Sequence, residues 1–194
     1  MRSRLLGLLF ALALVPAVAY ADSHKADLSG GGSGGTGGSA LGGFIAGINW
    51  GTSLPWLDVV GPTVSQQYGS HDGKSLTQTA YHGGVRVTLS SMERDPQDRT
   101  HFLDKPYKPF VQVLIGGVYS NLNDGSGLAL KDFSWDVGGG IDIFSHTAKG
   151  PDGRDHSAGL GFRVQYDYIV RTGDGANFHR VSAGVVWRIL KEHK

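Results

Sequence analysis

The chain has 194 residues, a formal net charge of +1, 31 glycines and no cysteine. A near-neutral balance argues against the polybasic surfaces that hold nucleic acid or anionic membrane surfaces, so no nucleic-acid partner is expected. The missing cysteines exclude disulfides and thiolate metal sites, and abundant glycine with few charged residues points to an all-β protein.

Arg2 and Arg4 precede an apolar run from Leu5 to Val18, which closes on Ala19-Tyr20-Ala21. The run is shorter than the roughly 20 apolar residues a membrane-spanning helix needs. Small residues occupy both positions that a signal peptidase reads, so residues 1–21 are expected to be a secretory signal peptide cut between Ala21 and Asp22. Loss of Arg2 and Arg4 takes the formal charge from +1 to −1. No later stretch is long and apolar enough for a helical span. Membrane insertion would therefore require a closed barrel, the only other structure that satisfies its backbone groups in lipid.

Residues 22–40 are of low complexity, centred on Gly30-Gly31-Gly32-Ser33-Gly34-Gly35-Thr36-Gly37-Gly38. This composition reads as a flexible segment, with a degenerate first strand as the other reading. No strand precedes the tract and no Lys-Ser/Thr pair closes it, so a phosphate-binding loop is not expected.

From Leu41 onward the hydrophobic period is two. Strands are expected at 42–51, 55–68, 78–90, 108–121, 131–145, 158–171 and 179–191, separated by turn formers such as Ser70-His71-Asp72-Gly73 and Gly173-Asp174-Gly175. At about 10–15 residues they exceed the five or six usual in soluble sheets and suit a tilted bilayer crossing. Residues 41–191 are assigned to a barrel domain and 192–194 to a short tail.

The two faces of the last five strands differ. One carries Tyr81, Val85, Val87 and Leu89, then Val111, Val113, Ile115 and Tyr119, then Phe133, Trp135, Val137, Ile141 and Ile143. It continues through Leu160, Phe162, Val164, Tyr166, Tyr168 and Val170 to Val181, Ala183, Val185, Trp187 and Ile189, without one charge. The other carries His82, Arg86, Gln112, Asp136, Asp142, Arg163, Gln165, Asp167, Arg180 and Arg188. A lipid-immersed barrel turns the apolar face outward and a soluble one turns it inward. Aromatics near strand ends (Tyr81, Tyr119, Trp135, Tyr168, Trp187) match an interfacial girdle, and glycines on the polar face suit a narrow lumen. The fold expected is an antiparallel up-and-down transmembrane β-barrel.

Several segments carry a resemblance to a known family. Lys108-Pro109-Phe110-Val111-Gln112-Val113-Leu114-Ile115-Gly116-Gly117, Val137-Gly138-Gly139-Gly140-Ile141-Asp142 and Phe162-Arg163-Val164-Gln165-Tyr166-Asp167-Tyr168 resemble strands of the small outer-membrane β-barrels of the OmpA, OmpX and OmpW type. The segment from Asn177 to Ile189 is similar to that family's closing strand. The resemblance implies eight strands, a place in the outer membrane of a Gram-negative bacterium, and dependence on export and barrel-assembly machinery. Only seven strands are legible, and the even count of such barrels puts the eighth before Leu41. Either the glycine tract closes the ring, or the edge at Gly42–Gly51 awaits a partner chain. The family's terminal aromatic is replaced here by Ile189-Leu190 and a charged tail. With periplasmic termini, the longest connection, Ser91 to Tyr107, would also be periplasmic, against the usual short-turn rule.

In a lumen only wide enough for side chains, Arg86, Arg163, Arg180 and Arg188 are expected to pair with Asp136, Asp142 and Asp167 as a buried network. Catalysis is not expected: on one strand His82 and Ser90 would be roughly 26 Å apart, and Asp155-His156-Ser157 falls in a turn. His71-Asp72 and His101-Asp104 are poor metal sites, and no cofactor is indicated. The reading is an outer-membrane barrel with a packed polar lumen and a structural or interaction role, in contact with outer-membrane lipid. A small passive channel for ions or apolar solutes, and a soluble periplasmic lipid-binding barrel, are the alternatives.

Overall fold

The computed structural model describes residues 25–36, 40–52, 54, 56–71, 73–89, 107–123, 129–149, 155–173 and 176–190. The expected cleavage site at Ala21 and Asp22 lies outside them. Eight antiparallel strands run in chain order: β1 (Lys25–Thr36), β2 (Ala40–Gly51), β3 (Leu57–His71), β4 (Lys74–Thr88), β5 (Tyr107–Asn123), β6 (Ala129–Lys149), β7 (Asp155–Arg171) and β8 (Phe178–Leu190). Each pairs with its sequence neighbours, and β1 pairs with β8 to close the ring.

The glycine tract is the missing strand. The expectation of a flexible segment over 22–40 is corrected for residues 25–36, which pair with β2 from Ala26 to Thr36 and with β8 from Lys25 to Thr36. The physical reason lies in the seam. A Cβ on Gly31 would overlap the carbonyl oxygen of Ala183, and one on Gly184 would overlap that of Gly30. Glycine at both positions lets the first and last strands approach closely enough to bond. The edge at Gly42–Gly51 is thereby paired on both sides within the chain.

Following the register around the ring from Ala26, through Trp50, Val59, Val85, Val113, Val137, Tyr168 and His179, leads back to β1 at Thr36, ten residues beyond the start. That stagger tilts the strands by roughly 35–45° and leaves an interior only wide enough for side chains. β3 carries an extra residue at Gly61-Pro62, where the register shifts against both neighbours between Val60 and Thr63. Proline has no N–H to give a ladder, so a bulge is where a strand tolerates it. β3 and β4 join through Gly73, whose φ of 75° is left-handed. Gly73→Ala is expected to cost about 1 kcal/mol in unfolding free energy, measured by urea titration of the folded barrel.

The β6–β7 ladder runs past the ends of the ladders on either side. β5 ends its pairing at Tyr107 opposite Ile143, and β8 ends at Arg188 opposite Gly159. The β6–β7 ladder nevertheless continues to Lys149 opposite Asp155, past a bulge between Phe144 and His146. It extends at the end of the barrel that carries both β1's start and β8's finish.

Candidate functional site: the sealed lumen and its apolar exterior

Alternation sorts the side chains by face, and the apolar set points outward. Val85, Val111, Val113, Phe133, Val137, Leu160, Phe162, Val181, Val185 and Ile189 are all exposed large hydrophobics. Of the five expected girdle residues, Tyr81, Trp135 and Trp187 are exposed, while Tyr119 and Tyr168 are half-buried against neighbours. Tyr168 packs on the His179 ring at 4.8 Å, and the Tyr166 hydroxyl lies 2.6 Å from His179 Nδ1. Phe44, Tyr68 and Tyr166 join this outward set, although the alternation of the last five strands singled out only Tyr166. From Trp187 to His179 on β8, and from Tyr107 to Tyr119 on β5, the tilted strands rise roughly 20–30 Å. An outer-membrane apolar band is about 25 Å tall. The outward residues Lys131, above the Tyr119 ring at 5.7 Å, and His179 both lie toward the hairpin end away from the termini.

Inside, all seven residues expected in the lumen network are buried: Arg86, Asp136, Asp142, Arg163, Asp167, Arg180 and Arg188. They form two tiers. In the tier nearer the termini, Arg163 grips Asp142 through two bonds of 2.6 and 2.7 Å. Arg188 grips Asp27 through two bonds of 2.7 Å and stands 4.0 Å from Asp142. Lys25 pairs with Asp58 at 2.7 Å. The flat faces of Arg86 and Arg188 rest on the rings of Phe110 and Phe144, at 3.9 and 4.4 Å.

The second tier centres on Arg180, which is fully buried. Its Nε and Nη2 donate to Asp167 at 3.0 and 2.8 Å, Nη2 also donates to Asp136 at 2.7 Å, and Nη1 donates to Ser65 at 2.8 Å. Gln112 joins the tiers: its Oε1 accepts from Arg86 Nε and Nη2, and its Nε2 donates to Asp167 at 3.1 Å. Gln165 adds two bonds to the same carboxylate. One inward position further from the termini, Ala80, Val118, Ile169 and Phe178 form a buried apolar cluster within the lumen. Beyond it Arg171 pairs with Asp132 and donates to Ser120.

Asp27 and Asp58 were not among the expected network residues. Asp27 sits in the tract read as flexible, yet the order Asp27-Leu28 already sets polar in and apolar out. His82 finds its partner across the sheet and not along its own strand, with Nε2 2.8 Å from Ser134 Oγ. The Asp136 carboxylate lies 3.8 Å from His82 Nδ1, beyond hydrogen-bond reach, and already receives Arg180. Ser134 is fully buried and His82 nearly so, which leaves a substrate no approach to the pair. The side chains of Ser90, His101, Asp104 and Asp155-His156-Ser157 lie outside those described, and the backbone of Asp155-His156-Ser157 opens β7 where a turn was expected.

A lumen crossed by two ionic tiers and holding an apolar cluster, inside a ring whose outer face is apolar, has its polarity reversed relative to a water-soluble protein. Solved structures share this architecture. The chain is similar to Ail of Yersinia pestis, solved with the heparin analogue sucrose octasulfate (TM-score 0.55, 11% identity, covering 87% of this chain and 99% of that one). It is also similar to the Neisserial surface protein A (0.51, 13%, 84% and 95%) and to the outer membrane protein OprG of Pseudomonas aeruginosa (0.50, 8%, 88% and 98%). The fold is that of the small outer-membrane β-barrels. No family model and no curated protein matches the sequence. At these identities the likeness carries the barrel and its closure in eight strands, and the lumen residues of this barrel stand on their own geometry.

Proposed function

We propose that the protein is an integral outer-membrane barrel with a structural or interaction role, its lumen a rigid filling and not a conduit. The observation that carries this reading is the pairing of an uncharged outer belt with a lumen blocked by the Arg180 tier and the Ala80-Val118-Ile169-Phe178 cluster. A passive channel needs a continuous polar path, and the paired side chains of the Arg180 tier occupy that path. A soluble lipid-binding barrel needs an apolar interior, whereas this interior is lined by arginine, aspartate and glutamine. Export, barrel assembly and contact with outer-membrane lipid follow from the reading.

Two measurements test it. The protein is expected to stay with outer-membrane vesicles through carbonate extraction, and release by carbonate or high salt would contradict integral insertion. Purified protein in planar bilayers is expected to leave conductance at baseline, and sustained unitary currents would favour the channel. Lipid contact also sets the sign of an outward substitution. Val113 is exposed and lies midway between Tyr107 and Tyr119 on β5. Val113→Arg is expected to destabilise the barrel in bilayers by about 2–4 kcal/mol, and a neutral result in reversible unfolding would argue against a lipid-facing β5.

A further inference from the structure

We propose that the cavity beside Arg86 binds a single small anion of halide size within the barrel wall. The cavity, about 20 Å³, lies against the β1–β8 seam. It exists because the seam presents small residues inward: Ser29, Gly31, Ser182 and Gly184. Across from them its lining includes Arg86, Arg163, Gln112 and Gln165, and no carboxylate. The space suits one or two water-sized spheres, and the Arg86 guanidinium, with no carboxylate in the lining beside it, selects against a cation.

Charge pairing singles out Arg86. Arg163 and Arg188 each hold an aspartate in a two-bond grip, and Lys25 holds Asp58. Arg86 instead rests on neutral groups. Its Nε and Nη2 donate to Gln112, the Phe110 ring covers its face, and Nη1 donates to Asn49 once that amide is turned to satisfy both its neighbours. A guanidinium has five N–H donors, and these bonds use three. In this tier, among the described residues whose partners are named above, Lys25, Arg86, Arg163 and Arg188 meet three carboxylates, Asp27, Asp58 and Asp142. A charge held away from water is stable only when compensated, and the cavity is where a compensating anion fits.

Crystals of the folded barrel grown in sodium bromide test this directly. An anomalous bromine peak inside the cavity, in contact with the Arg86 guanidinium, is expected. Water density without anomalous signal there, in crystals that show bromide elsewhere, would overturn the proposal. In solution, raising bromide against gluconate at constant ionic strength is expected to lift the thermal midpoint by about 5 °C once bromide exceeds its Kd tenfold. Arg86→Met is expected to lose that dependence. An equal lift in the variant would place the effect elsewhere, and if the variant does not fold, the diffraction result on the unaltered protein decides.

Discussion

Arg180→Met is expected to lower the unfolding free energy by about 3–5 kcal/mol, because it leaves two carboxylates buried without their cation. Asp136 and Asp167 are both fully buried, and both receive Arg180 Nη2. Asp167 would keep Gln112 and Gln165 as donors, but Asp136 would lose the ion pair that neutralises it. The magnitude measures the broken arrangement and not the worth of the network, since a buried ion cluster replaced as a unit by neutral groups is often no less stable. Arg180→Met combined with Asp136→Asn and Asp167→Asn is therefore expected to recover most of the loss. Reversible urea unfolding of the parent, the single variant and the combined variant in one lipid separates the cases. A single variant as stable as the parent would mean that the tier is solvated and the lumen open.

Gly31→Val is expected to be the most damaging change in the glycine tract, at about 3 kcal/mol or enough to prevent closure. The clash falls on backbone, against the Ala183 carbonyl and the Gly184 Cα, which no rotamer change relieves. On the neighbouring strand, a Cβ added to Gly42 would meet nothing within 4 Å, and Gly42 does not have a positive φ. Gly42→Ala should accordingly be neutral, or stabilising by about 0.4–1 kcal/mol through the unfolded chain. The yield of folded barrel, read as the mobility difference between unheated and heated samples in detergent gels, ranks the two. Equal yields would show that the seam is looser than the register implies.

Seven of the eight strands were legible because their side chains alternate over long runs, and period-two patterning survives errors of a few residues at each end. β1 was not, for a reason its pairing explains. Between Gly30 and Gly35 the tract offers one side chain beyond a hydrogen, Ser33, so no alternation can be read, and its strand character comes from partners on both sides. Pairing of the lumen charges was legible as a set and not as pairs. Arg188 meets Asp27 across 161 positions of sequence, a contact that exists only when the ring closes. His82 and Ser134 show the same limit, since search along one strand offered Ser90 while the sheet brings in a residue from two strands away. Asp27 and Asp58 enter the network through the strand order, which sets β1 beside β8 and β3 beside β4.

One arrangement underlies the barrel's function, apolar side to lipid and charged side sealed within. The chain has no cysteine, so single cysteines can be placed at consecutive positions of β8 and spin-labelled in bilayers. Labels at Val181, Ala183 and Val185 are expected to collide with dissolved oxygen and not with a water-soluble nickel chelate. Labels at Ser182 and Val186, which point into the packed lumen, should be immobile and reached by neither. Nickel access at the odd positions would contradict lipid contact, and nickel access at the even positions would contradict the sealed lumen.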